Sequence, residues 1–391
     1  MTAAARIGSI RRLAAALLLC GAFGSIHAFS VLLEPLETWL GAGRSAVSLV
    51  YSAAIAAITL GVFLSARLQQ ALSPRRIAMT CGVMAVTGLS VAASGETLIV
   101  FLAGYGLAGG LANGIAYSLS LAQAARAAPQ NPGWAMGLAT AVYGLGSVIF
   151  AQVLSLLLAH MPVHLVVAVL AAILGTASLA ATTLLPGDTV PGTELSHSSA
   201  ARLPPQRVAM LWVIYLLGAS GGLMVIAHSA EIMAGRDGGA STMALAPTLV
   251  GLGSIAGGYL GGTMGTQLSA RSSLALPLAA MAVSLAVFTL TRSQLTGLAV
   301  MLICGLCYGA LIAIIPSIIR RQAGAEGFAR TFGTVFTAWG LAGVLGPLAA
   351  GMIFDASGHY LHAMILAMGL LLAGAAASLL LGDHEDQAAK T

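Results

Sequence analysis

The sequence predicts an all-α integral membrane protein: twelve transmembrane helices in two pseudo-symmetric six-helix bundles. Three observations carry that prediction. Twelve apolar stretches run along the 391-residue chain, each roughly 20 residues, the length a helix needs to cross ~30 Å of hydrocarbon. Only 7% of residues are charged against 58% hydrophobic, where a soluble domain carries roughly a quarter charged. The cations are one-sided: with the N-terminus in the cytoplasm, fourteen fall on the inner side and three (Arg44, Arg236 and Arg292) on the outer. That bias is the positive-inside rule and requires an even number of crossings. The formal charge of +5 is therefore a topology signal, and nucleic acid is excluded as a partner.

Span 1 (13–35) follows Arg6, Arg11 and Arg12, a basic start resembling a signal peptide. Its apolar run continues past Phe29 to Leu33, too long for a cleaved segment, so it reads as a retained helix. Span 2 (46–66) contains Gly61 and is followed by Arg67, Arg75 and Arg76 before span 3 (77–94). Span 4 (98–121) carries five glycines between Gly104 and Gly114, a face that lets helix backbones approach closely where lipid offers no hydrophobic drive. Spans 5 (134–158) and 6 (164–185) complete the first bundle, 1–185. The Pro-, Gly- and Ser-rich stretch 186–206 cannot build a core and reads as a cytoplasmic linker. Spans 7 (207–232), 8 (243–264), 9 (274–291), 10 (295–319), 11 (330–353) and 12 (360–382) form the second bundle, 207–391, with 383–391 as a short solvated tail. Cys304 and Cys307 in span 10 make a lone C-x-x-C with no second ligand pair, so they read as small packing residues, with no metal implied.

The two halves repeat each other. At an offset of 197, Gly21, Gly24 and Glu34 match Gly218, Gly221 and Glu231, and Gly61 matches Gly258. At 196, Gly137 and Tyr143-Gly144-Leu145 match Gly333 and Trp339-Gly340-Leu341. Parallel six-helix repeats place substrate sites near the midplane between the halves.

No H-E-x-x-H, G-x-S-x-G, Walker loop or paired acidic motif occurs, so no catalytic residues and no cofactor are expected, and the chain does not read as an enzyme. Polar groups inside spans then become the informative residues, because an ionisable group there costs ~2.5–3.5 kcal/mol on insertion scales. His27, Ser30 and Glu34 fall at i, i+3 and i+7 in span 1, and Met224, His228 and Glu231 at i, i+4 and i+7 in span 7, each set on one face of an ideal helix. Against a role for Glu34 and Glu231 stands their place near outer helix ends, where they can reach water. Asn113 and Tyr117 (span 4), Tyr143 and Gln152 (span 5), Ser254 (span 8), Tyr308 (span 10) and Trp339 (span 11) complete the polar set. Tyr143 and Trp339 stand out because they occupy matched repeat positions. Spans 3, 6, 9 and 12, with few polar groups, read as lipid-facing supports.

The whole chain resembles the major facilitator superfamily, and within it the oxalate/formate antiporter and monocarboxylate porter branch. The resemblance rests on Gly24–Ser48, on Gly133–Phe150 and above all on Thr331–Tyr360. The superfamily's loop after the second helix is echoed by Gly61, Arg67, Arg75 and Arg76, which the resemblance marks as a gating loop, although Ala66 stands where an Asp is usual. Where oxalate carriers of the branch place cations, this chain holds Ser254 and Trp339. A dicarboxylate would lack charge-matched partners; a monocarboxylate or a neutral solute fits better.

The resulting expectation is a secondary active transporter of the inner membrane with both termini cytoplasmic, moving a small organic solute by alternating access. Substrate contacts fall on His27, Ser30, Asn113, Tyr117, Tyr143, His228, Ser254, Tyr308 and Trp339, and proton coupling on His27, Glu34, His228 and Glu231. Protons or a counter-substrate would be the coupled species, and no obligate protein partner is implied. A passive facilitator or channel and a ligand-binding membrane sensor are the other classes consistent with these residues.

Overall fold

A computed structural model of the chain describes residues 3–186, 203–234 and 240–381. Most of the expected linker (187–202), the tail from 383 and the loop with Arg236 lie outside the described residues. Every element described is helical, with no strand among the described residues.

The first pass is α1 (Ala3–Phe23), a 3₁₀ segment (Gly24–Leu32) and α2 (Leu33–Leu40). Then come α3 (Arg44–Ala71) and α4 (Pro74–Ser94). The fourth pass is α5 (Leu98–Phe101), a π-helical segment (Leu102–Gly109) and α6 (Gly110–Ala127). Next are α7 (Pro132–Leu158) and α8 (Val163–Leu184). The seventh pass is α9 (Pro205–Ile226) with α10 (Ser229–Ala234), followed by α11 (Ala240–Gln267) and α12 (Ala270–Leu290). The run α13 (Gln294–Ser357) is two passes joined at Gly324, whose φ of 68° and ψ of −171° no helix contains, and α14 (Leu361–Leu379) closes the set. Among the described residues this gives twelve helical passes, and ten of the helices, counting α13 once, are long and apolar enough to cross a membrane. The helices extend beyond the predicted spans because an α-helix continues into the polar interface once its hydrocarbon stretch is complete.

Compact packing defines two units. One gathers residues 1–130, 142–200 and 325–333; the other gathers 131–141, 201–324 and 334–391. Each unit thus includes a short helical stretch from the other half of the sequence. In the second unit the start of α7 lies against α11 at glycines: a Cβ on Gly133 would stand 2.1 Å from the Gly262 carbonyl oxygen, and one on Gly137 2.8 Å from that of Gly258. In the first unit, Gly61 and Gly114 hold α3 and α6 together, since Cβ atoms there would meet the Leu111 and Ile58 carbonyl oxygens at 2.5 and 2.0 Å.

The arginines sit at helix ends for a physical reason. Arg11 donates to the Thr183 carbonyl at the end of α8, Arg321 to the Thr266 and Leu268 carbonyls at the end of α11, and Arg271 to that of Leu381. The last carbonyls of a helix have no intrahelical partner and carry its negative dipole end. In each unit the ends of even-numbered passes therefore collect cations.

Candidate functional site

The first unit holds a polar cluster built from four passes. His27 lies in the 3₁₀ segment, with its Nδ1 2.8 Å from the Tyr51 hydroxyl of α3; which atom donates depends on the imidazole tautomer. The imidazole also stands edge-on to the Tyr143 ring, 5.4 Å between centroids. The Tyr143 hydroxyl donates to Asn113 Oδ1 at 2.8 Å, and Asn113 Nδ2 donates to the Phe23 carbonyl. Tyr117 packs against Tyr143 at 4.9 Å. A continuous network therefore links His27, Tyr143, Asn113 and the last α-helical carbonyl of α1.

Local backbone geometry positions His27. Nine residues of 3₁₀ helix are long for a conformation that seldom exceeds three or four. Gly24 sits at its start where a Cβ would meet the Tyr143 carbonyl oxygen at 2.1 Å, and a Cβ on Gly146 of α7 would meet the Gly21 carbonyl oxygen at 2.2 Å. The same geometry overturns one expectation. At 120° per 3₁₀ residue, Ser30 remains aligned with His27, but Glu34 is rotated roughly 80° off that face. Glu34 is exposed, and no contact joins its carboxylate to His27. The shared face of His27, Ser30 and Glu34 thus holds for the first two only.

The second unit contains a counterpart. Trp339 Nε1 donates to the Tyr308 hydroxyl at 2.9 Å, with both side chains buried and the indole stacked on Phe336 at 5.0 Å. Trp339 lies 196 residues after Tyr143, and Tyr308 lies 195 after Asn113. The repeat therefore extends to a hydrogen bond between equivalent passes. The break between α9 and α10 at Ala227–His228 likewise mirrors the break in the first pass.

His228 does not join Trp339 and Tyr308. Its Nδ1 turns back to the Met224 carbonyl at 3.2 Å, and its ring packs 5.2 Å from Tyr360, in the turn after α13. Trp339 lies eighteen residues before Ser357, the last residue of α13, about 27 Å along a helix at 1.5 Å per residue. Glu231 is exposed near the same turn, where burial and the charges of Glu231 and Asp355 push the Tyr360 hydroxyl's pKa upward. Met224 is buried and Glu231 exposed, because the break between α9 and α10 destroys the face the spacing implied. Ser254 Oγ donates to the Gly305 carbonyl at 3.1 Å and ties α11 to α13.

Of the four residues the resemblance marks as a gating loop, Gly61 (packed on α6) and Arg67 lie within α3 and Arg75 and Arg76 in the first turn of α4; the three arginines are exposed. The four cysteines are free and buried. Among the described residues no three His, Cys, Asp or Glu side chains stand together as metal ligands.

Tyr51 is the residue that sequence reasoning missed. Nothing in its local pattern separates it from a core aromatic, and its bond to His27 exists only because α3 packs beside the 3₁₀ segment.

Comparisons with known proteins follow the same line. Residues 153–379 match the family described as "Uncharacterised MFS-type transporter YbfB". The uncharacterised MFS-type transporter YhjX of Escherichia coli is 22% identical over 83% of this chain and 83% of its own. Monocarboxylate transporter 13 of Rattus norvegicus is 25% identical over 90% of this chain and 83% of its own. The crystal structure of the MFS transporter FucP in the outward conformation superposes with a TM-score of 0.71 at 17% identity, covering 95% of this chain and 98% of that one.

Proposed function

The chain belongs to the major facilitator superfamily of transporters, and on that premise we propose that it moves a small monocarboxylate across the bacterial inner membrane, both termini in the cytoplasm, by proton-coupled alternating access. The observation that carries this reading is the composition of the first unit's cluster. Its polar side chains (Tyr51, Asn113, Tyr117 and Tyr143) are uncharged, and His27 is the one member of the cluster whose side chain can take up a proton to become a cation. Such a site offers hydrogen bonds to a carboxylate and one proton to balance one negative charge. A dianion would leave a second charge without a partner, at a desolvation cost of several kcal/mol. Trp339 and Tyr308 add a second uncharged pair within their own unit. The similarity to a protein named monocarboxylate transporter 13 supports the same substrate class.

Uptake into proteoliposomes tests it, with a panel of monocarboxylates, oxalate and neutral solutes, with and without a pH gradient. Saturable monocarboxylate uptake driven by an inwardly directed proton gradient (acid outside) is expected, with oxalate a poor substrate. His27→Gln keeps hydrogen bonding but carries no proton, so it should retain substrate binding and lose the response to the gradient. An unchanged pH profile in that variant would remove His27 from coupling. Non-saturating flux of neutral solutes would make the protein a passive facilitator.

A further inference from the structure

A groove of about 410 Å³ runs along the outer surface of the first unit between α4 and α8. Its floor is Gly82, Gly175 and Ser178, and its walls include Met79, Val83 and Leu179, which are 56%, 56% and 62% exposed. The groove exists because the helices meet too closely at the floor for side chains. A Cβ on Gly82 would stand 2.6 Å from the Ser178 Cβ, and one on Gly175 2.6 Å from Val86 Cγ2. From Met79 to Thr87 it extends about 12 Å at 1.5 Å per residue, most of the ~15 Å thickness of one leaflet.

Two independent features say what occupies it. The first is charge at one end. Arg75 and Arg76 precede Met79 by four and three residues, so they share its helix face. Cα–Cβ bonds tilt toward the helix N-terminus, which directs these side chains toward the membrane surface beyond the groove. Both are exposed, and neither guanidinium pairs with a protein group among the described residues. At the end of the facing helix α8, the Thr183 carbonyl, four residues beyond Leu179, holds Arg11 of α1. The second feature is Ser178. Its side chain is 1% exposed and its hydroxyl has no hydrogen-bond partner, whereas Thr87, the other hydroxyl on the lining, donates to the Val83 carbonyl of its own helix.

We propose that this groove is a binding site for an anionic phospholipid: headgroup phosphate on Arg75 and Arg76, one acyl chain along Met79, Val83 and Val86, and an ester carbonyl accepting from the Ser178 hydroxyl. Headgroup charge selects the lipid, because each cation near the membrane surface contributes about 1 kcal/mol toward an anionic lipid, roughly fivefold in affinity.

The test is native mass spectrometry of the full chain in detergent, with phosphatidylglycerol and phosphatidylethanolamine at equal concentration. The unmodified protein should retain phosphatidylglycerol preferentially. Arg75→Gln with Arg76→Gln should reduce that preference roughly 20- to 30-fold, while the Arg75→Lys, Arg76→Lys pair keeps it and shows that the double variant is not simply misfolded. Val83→Trp fills the groove and should lower retention of both lipids. Inorganic phosphate alone should not be retained, since the acyl channel supplies the rest of the binding. Equal retention of the two lipids by the unmodified protein would overturn the proposal. So would an undiminished preference without the arginines, undiminished retention in Val83→Trp, or capture of inorganic phosphate as tight as that of the lipid.

Discussion

Removing the bond between Tyr143 and Asn113 probes whether the first unit's cluster is a coupled network or a set of adjacent side chains. Asn113 is 1% exposed and serves two partners, accepting from the Tyr143 hydroxyl and donating to the Phe23 carbonyl. Asn113→Ala removes both interactions and leaves that carbonyl and hydroxyl without their partner. Tyr143→Phe removes only the bond between the two side chains. Interhelical hydrogen bonds in membrane proteins average about 0.6 kcal/mol and reach about 1.7, so Tyr143→Phe should cost roughly 0.5–1.5 kcal/mol. Asn113→Ala should cost about twice that, because the end of α1 also loses its cross-helix donor. The double variant should then be less destabilised than the sum, with a coupling energy of about 0.6–1.7 kcal/mol. Reversible unfolding in mixed detergent micelles supplies the four stabilities of the cycle. Strict additivity, within the ~0.3–0.5 kcal/mol expected of independent sites, would refute the network.

Gly24→Val places a branched side chain where a Cβ already meets the Tyr143 carbonyl oxygen at 2.1 Å; overpacking of this kind costs about 1–3 kcal/mol or more, and a melting temperature equal to that of the unmodified protein would show that the first pass is free to move away from α7. Reporter fusions at Pro191 and after Thr391 should both be active only in the cytoplasm, as the arginine distribution requires; periplasmic activity at either site would invert the topology.

Much of the architecture was legible because its causes are local. Hydrocarbon thickness sets the length of each apolar run, so the helical passes could be read from where those runs fall along the chain. The repeat was legible too, since matched glycines mark places where backbones must approach. Asn113, Tyr143, Tyr308 and Trp339 were each identified individually, but their pairing was not.

The candidate site depended on what composition does not encode. An α-helical spacing puts His27 and Glu34 on one face, whereas the 3₁₀ turn beginning at Gly24 rotates them apart, and no propensity of GSIHAFSVL announces that change. His228 reads as a central residue until the break at Ala227 sends its ring to Tyr360. Tyr51 looks like any core aromatic until α3 brings it within 2.8 Å of His27. Composition and periodicity record how each segment meets lipid and water, a one-body property of the chain. Which polar groups meet one another is a many-body property, decided by close glycine crossings and departures from α geometry that exist only once the helices pack.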